Sequence, residues 1–446
     1  MRFPISEASP LRFPGPPPKA ADVVVVGGGI AGVMTAWFLT AAGQKVVLCE
    51  KGRIAGEQSS RNWGWIRQQG RDPAELPVMI EANRIWRGLE AAIGADLGLR
   101  QTGVLYLAEG PKDMAGFEAW MVHARAHGLD TRLLTAAEVQ AMLPNAAGWA
   151  GGLWTASDCR AEPWIAVPAI AAALAARGCA IAEACAVRAL DLAAGRVAGV
   201  VTEQGRIAAP RVVLAGGAWS GLFLRRHGLR LPQLSVRATV AATAPLPAFF
   251  EGAMADNRFA IRRRQDGGYT LAPGGFHEFF LGPDAFRHFR AFLPQIRAGG
   301  LKGTRLLPAA PAGYPDAWGT PRHWDLGGTS PFERRRVLDP APNRAEIERL
   351  RDRFAAAFPA IGRPAIALAW AGMIDTLPDV VPVIGAAPLD GLWVLTGLSG
   401  HGFGIGPGAG RVMADLVLGR PPGHDLTRFR WSRFSDGSPV EIGPSL

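Results

Sequence analysis

ADVVVVGGGIAGVMTAWFLTAAGQKVVLCE, residues 21–50, reads as a strand, a glycine loop, a helix and a second strand in direct succession. Ala21–Val26 is the short β-branched run that a parallel strand buries on both faces. Gly27, Gly29 and Gly32 follow at G-x-G-x-x-G spacing, then a helical stretch Ile30–Ala42 stopped by Gly43, then Gln44–Glu50 as a second strand ending in an acid. Each part has a physical task. Gly27 permits the tight turn, Gly29 lets the backbone approach a pyrophosphate, and Gly32 lets the helix pack closely on the strand. The first helical N–H groups, at Ile30 and Ala31, face phosphate charge together with the helix dipole. Glu50 stands 23 positions after Gly27, where a carboxylate accepts both hydrogen bonds of an adenosine ribose, with Lys51 beside it. The glycine pattern alone is weak; glycines, helix, strands and terminal acid in register predict a dinucleotide site.

Working outward, no second G-x-G-x-x-G follows a strand. A flavoprotein reduced by NAD(P)H generally carries two such units, so one copy favours FAD reduced directly by the substrate. Two further strand-to-glycine turns support this. Val212–Ala215 leads into Gly216, Gly217, Ala218, Trp219 and Ser220. Trp393–Thr396 leads into the loop GLSGHGFGIGPG (397–408) and an expected helix Ala409–Leu418. N–H groups at such a helix start can stabilise negative charge on a reduced flavin.

The whole chain, 446 residues with 48% hydrophobic and 19% charged side chains, is globular and long enough for two domains. Its formal charge is +10, but only five of the 48 basic residues are lysines and the arginines are spread along the chain. A nucleic-acid footprint would cluster them on one face, so no nucleic-acid partner is expected. Cys49, Cys159, Cys179 and Cys185 have no CxxC spacing and read as buried thiols of a reducing compartment. The proline-rich residues 1–19 lack the apolar core of a secretory signal and read as a tail or strap. No run reaches the roughly 18 apolar residues that span a bilayer, so a cytoplasmic location is the expectation. No His/Cys/Asp cluster has metal spacing, and no metal is expected.

The set VVVVGGGIAGVMTAWFL…VVLCEKG, GEQSSRNWGWIR, VVLAGGAWS, WAGMIDTLPDVVPVIG and LTGLSGHGFGIGPGAGRVMADLV resembles the FAD-dependent D-amino acid oxidase superfamily, with its glycine oxidase, sarcosine oxidase and D-amino acid dehydrogenase types. The resemblance implies an α/β chain: a discontinuous Rossmann-like FAD-binding domain over 20–75, 150–220 and 366–435, and a mainly antiparallel α+β substrate domain over 76–149 and 221–365, with a C-terminal tail at 436–446. It carries over Ser59, Ser60, Arg61, Asn62, Gly64 and Trp65 as the loop along the flavin, and Val187 as the strand position beside adenine. It also carries over Gly216 and Trp219 as a second FAD segment, Gly372 in the WAG motif, and Gly400, His401, Gly402, Phe403 and Gly404 as the C-terminal flavin loop. Independent local signals agree. Asp72-Pro73-x-Glu75, Thr135…Glu138 and Asn343…Glu346 are helix openings. Asp266-Gly267-Gly268 between two strand-like runs is a hairpin turn.

The sequence also departs from the family. Members acting on small amino acids hold the substrate carboxylate with an arginine where Ile374 stands here, or with a lysine where Gly404 stands. An unpaired buried carboxylate is costly, so the carboxylate is bound elsewhere or is absent. Arg67 is the candidate replacement clamp. Asp375 is a candidate partner for a substrate ammonium, Tyr269 for closing the pocket, and His401 for a base. The expected activity is oxidation of the C–N bond of a secondary amine or amino acid to an imine, with hydride passing to N5 of non-covalent FAD and electrons leaving to oxygen or another acceptor. No cysteine follows Cys185, which removes a cysteinyl flavin link from the C-terminal half. A D-amino-acid or hydroxyproline-type dehydrogenase, a flavin monooxygenase and a tRNA-modifying flavoprotein are the competing readings.

Overall fold

A computed structural model describes residues 3–443. Its first sheet grows from the quoted stretch. Val23–Val26 lies between Val46–Cys49 and Val212–Leu214, parallel to both. Ala180–Ala182 and Leu392–Thr396 extend the sheet in parallel, and Val383–Ala386 closes it antiparallel, giving six strands. The central valines Val23, Val24 and Val25 are fully buried, as a strand covered on both faces requires.

Helices Ile30–Ala41, Leu76–Ile93, Pro163–Ala176 and Gly402–Val417 cover one face of this sheet and share one core with it. The last of them corrects the expectation from sequence. Residues 402–408 are not loop but the first two turns of the helix, with Pro407 inside it. The reason is packing. A Cβ on Gly406 or Gly410 would meet Ile30 or Met34 at 2.7 Å, and one on Gly408 would strike the Val78 carbonyl on the opposite helix. Glycines spaced four apart on two sides let this helix sit between two others, and that burial outweighs glycine's poor helix propensity. The Asp72 opening also starts later than expected. Asp72 caps a turn through Ala74 N (2.8 Å), the helix proper begins at Leu76, and Glu75 is drawn off to another partner. The Thr135 and Asn343 caps form as read, on helices Ala136–Met142 and Arg344–Ala357.

The second sheet has ten strands. From one edge they run Thr304–Leu307, His277–Phe280, Leu234–Thr243, Tyr269–Pro273, Phe259–Arg263, Ala253–Ala255, Val104–Ala108, Gly151–Thr155 and Thr131–Thr135. Ile366–Thr376 pairs along the full length of Leu234–Thr243. The sheet is antiparallel apart from two parallel junctions. Two boundaries differ from the sequence reading: Gly151–Thr155 and Ile366–Thr376, assigned to the FAD-binding part, are strands of this second sheet. The N-terminal residues are a strap rather than a loose tail. Phe3 stacks on Trp164 at 4.1 Å, Ile5 is buried, and Lys19 O accepts Ala208 N at 2.8 Å. All four cysteines are buried free thiols. Among the described residues no helix is long and apolar enough to cross a membrane, and no group of side chains has metal-binding geometry.

Alternation decides which side chains of the second sheet look toward the first. Val104, Ala253, Ala255 and Ala260 share one face with Trp65. Tyr269, Leu271, Phe259 and Ile261 lie on the other, packed on Phe354 of helix Arg344–Ala357 and on Phe358 just after it.

Candidate functional site

A cleft lined by both motif and loop residues runs over the carboxyl ends of the parallel strands. This is where open α/β sheets bind ligands. Gly27, Gly29, Ile30 and Ala31 form its floor. Gly27 has φ +113°, which only glycine adopts freely, and a side chain there would strike the Ala215 carbonyl. A Cβ on Gly32 would collide with the Gly27 carbonyl, so Gly32 fixes the loop without lining the cleft. Gly29 caps the helix with no side chain; Ser59 Oγ accepts Ile30 N at 2.9 Å in its place. The other first-turn N–H groups have no intrahelical acceptor.

Glu50 sits at the end of the second strand, its two oxygens accepting Gly28 N at 2.7 Å and Gly52 N at 2.6 Å. Burial raises its carboxyl above the usual range, against the pull of Lys51 and the two N–H donors. Lys51 donates to Glu57 Oε1 at 2.6 Å and to Arg336 O at 2.7 Å, and lies 4.5 Å from the Trp219 ring centre. Trp219 Nε1 donates to the same Glu57 at 2.9 Å. Val187, Gly216 and Trp219 form the wall at this end. At the other end the cleft is bounded by Asn62, Asp375, Gly400, Gly402 and Phe403. Asp375 is buried, and its Oδ2 accepts Gln233 Nε2 (3.0 Å), Thr396 Oγ1 (3.3 Å) and Gly397 N (2.8 Å). Burial raises its carboxyl despite these donors. It fastens strand Ile366–Thr376 to the glycine loop before the last helix.

Several residues expected at the site have other work. His401 Nε2 pairs with Glu75 Oε1 at 2.8 Å and does not line the cleft. Tyr269 is fully buried on the far face of the second sheet, with its hydroxyl on Phe250 O at 3.0 Å and its ring stacked on Phe249, so it cannot close the pocket. Arg61 is a buried cross-link to Asp339 (2.7 Å), Ala371 O (3.1 Å) and Ile5 O (3.1 Å). Ser60 Oγ accepts Ile5 N from the strap. Gly64, at φ +78°, turns the chain so that Trp65 pairs with Arg160. A side chain on Gly372 would collide with Gln58, and Gly404 faces Met79 and gives its carbonyl to Trp86 Nε1 at 3.0 Å. None of these lines the cleft.

Arg67 leaves the loop after Trp65, donates to Gln69 O and lies 5.2 Å from the Tyr106 ring centre. Asp158 holds that loop, accepting Gln68 N at 2.7 Å and Gln69 N at 3.3 Å; burial pushes its carboxyl up to about 7. Ile374 contacts the position a side chain would take on Gly400, which places it against the flavin-loop end.

Sequence reasoning missed Gln58 and Phe332, both lining the cleft. Gln58 was within reach, inside the GEQSSRNWG motif. Its Oε1 is buried against Gly372 with no hydrogen-bond partner. Phe332 carried no local signal.

Glycine floor, helix start and strand-end acid define a dinucleotide-binding oxidoreductase fold faced by a second sheet. The comparisons give the family. The FAD dependent oxidoreductase family matches residues 22–416, and the chain belongs to it. It is 26% identical to the sarcosine oxidase subunit beta of Rhizobium meliloti, over 96% of this chain and 91% of that one. It is 26% identical to the D-amino acid dehydrogenase of Paramagnetospirillum magneticum, over 93% and 99%. The structure of an L-amino acid deaminase from Proteus myxofaciens in complex with anthranilate superposes with a TM-score of 0.90 at 30% identity, covering 96% and 97%.

Proposed function

We propose that this protein oxidises the C–N bond of an amino acid or secondary amine to an imine, using FAD held without a covalent link. The observation that carries the proposal is a single cleft running from the ribose acid Glu50 to the Asp375–Gly402 end, where strand Ile366–Thr376 of the second sheet meets it. When bound, FAD would supply the hydride acceptor. The chain supplies position and charge. The first-turn N–H groups and Glu50 would hold the diphosphate and ribose. The N-terminus of helix Gly402–Val417 opens on the far end, suited to negative charge.

Cys49, Glu50, Lys51, Glu57 and Asp375 are the titratable groups along the cleft. Glu50, Lys51, Glu57 and Asp375 already hold protein donors or acceptors. With His401 also engaged, the substrate must arrive as the neutral amine, and kcat/KM rises with pH until the substrate ammonium is titrated. Arg67, beside the aromatic wall of Trp65 and Tyr106, is the proposed carboxylate partner in place of the cations missing at Ile374 and Gly404. Likeness to an L-amino acid deaminase favours α-amino acids within this class. Four free buried thiols fit a reducing, cytoplasmic setting.

The test is an anaerobic panel of L- and D-amino acids and amines scored by loss of flavin absorbance, followed by air to separate oxygen from other acceptors. Arg67→Met should raise KM about tenfold or more for carboxylated substrates and leave carboxylate-free amines unchanged. Bleaching by NADPH but by no amine would overturn the proposal.

A further inference from the structure

The segment Pro331–Asp339 comes from the stretch between the second sheet and helix Arg344–Ala357, far in sequence from every dinucleotide motif. It lies against the ribose end of the cleft. Phe332 lines the cleft itself and meets Trp219 edge-on at 5.6 Å. Carbonyls of the segment take the Lys51 ammonium, and Leu338 N donates to Glu57 at 3.3 Å. Arg336 donates to Lys51 O at 2.6 Å and grips both oxygens of Glu203 at 2.8 and 2.6 Å. Glu333 takes Arg188 Nε at 3.1 Å, one residue from Val187. Arg61 reaches Asp339. The approach is so close that a methyl group on Gly52 would collide with the Arg336 carbonyl. The loop that carries Glu50, Lys51 and Glu57 is thus pressed between the cleft and this segment.

We infer that Pro331–Asp339 is a clasp over the adenosine end of the cleft, and that its ion pairs with Arg188 and Glu203 set how long the dinucleotide stays bound. The inference rests on the FAD reading of the cleft. The ion pairs are half-buried, with side chains of Arg336 and Glu203 at 20% and 15% exposure. Their attraction is strong enough to matter and still open to screening by salt. Cofactor release should therefore quicken with ionic strength.

The experiment dilutes holoenzyme into FAD-free buffer and follows the rise of flavin fluorescence at low and high salt. Arg336→Ala and Gly52→Ala, one removing charge and the other only adding a methyl, should each speed release about tenfold or more. Arg336→Lys should recover part of the loss. Arg206→Ala, which breaks an exposed pair with Asp191 on the three-stranded sheet formed by Val187–Ala193, Arg196–Thr202 and Gly205–Ala208, should stay within twofold of the parent. ADP binding to the apoprotein should weaken by the same factor as FAD in the first two variants, because the clasp covers the half the two ligands share. Parental release rates in both Arg336→Ala and Gly52→Ala would overturn the inference, as would unchanged ADP affinity. Parent protein that is colourless and takes up no FAD would instead fell the cofactor reading itself.

Discussion

The dinucleotide cleft and the sheet that faces it differ in what carries their geometry. In the cleft the backbone does. Gly27 and Gly32 leave no room for a Cβ, and the strand-end acid Glu50 is tied to the loop through Gly28 N. In the facing sheet side chains do, and alternation along each strand decides whether a residue packs on Trp65 or on the helix behind the sheet. Thr270 and Tyr269 are neighbours in sequence, yet Tyr269 packs into the rear core with Phe354. A backbone-built site announces itself locally. A side-chain-built one depends on a choice of face that no short stretch contains.

The largest expected effect tests the backbone half. Gly32→Ala forces a methyl into the Gly27 carbonyl, so the loop must open or the helix must shift. Purified variant should lose FAD altogether, read as the ratio of flavin absorbance to protein. Retention of full flavin content would break the contrast, since the loop would then tolerate what its geometry forbids.

Next comes the junction between the two halves. Arg262 of the second sheet and Glu162, just before helix Pro163–Ala176, are both buried and paired through two bonds of 2.9 and 3.0 Å. Arg262→Ala strands a buried carboxylate and should cost about 3–5 kcal/mol in urea unfolding. The double change Arg262→Met with Glu162→Met should recover much of it. A single-variant loss under about 1 kcal/mol would mean that the pair does not tie the halves together.

How far the chain could be read follows the same division. Residues 21–50 gave strand, loop, helix and acid because each is fixed by its neighbours. The Thr135 and Asn343 caps were legible for that reason too. Gly402–Gly408 misled, because glycine-rich sequence reads as loop until the helices that squeeze it are known. His401 and Arg61 sat in the right motifs, but their side chains are claimed by Glu75 and Asp339, 326 and 278 residues away. Phe332 was invisible because its place in the cleft arises only when the clasp folds back.

A smaller effect is set by pH. His227 accepts Leu190 N at 3.1 Å through Nε2, and burial lowers its pKa from 6.5 to about 4. A depressed histidine contributes stability that is whole above pH 6.5 and is lost as pH falls toward 4. The loss is up to about 3 kcal/mol at roughly 1.4 kcal/mol per pH unit. His227→Gln keeps an acceptor and cannot titrate. Its unfolding free energy should fall less between pH 6.5 and 4 than the parent's, with His277 and His288, both lowered by burial, still contributing to the fall. Parallel curves would show that His227 is already charged in the folded protein.

The smallest expected effect bears most directly on which face of the sheet serves the substrate. Tyr269→Phe removes a hydroxyl that bonds Phe250 O and receives Arg263, all behind the sheet. Its absence leaves Phe250 O short of one donor, a loss of about 1 kcal/mol. Nothing on the cleft side changes, so KM, kcat and FAD content should equal the parent's. Arg67→Met should instead raise KM for carboxylated substrates, whatever its own cost in stability. If Tyr269→Phe instead raised KM at constant stability, the second sheet would present its other face to the substrate. The alternation that turns Ala253, Ala255 and Ala260 toward Trp65 would then have to be read in the opposite register.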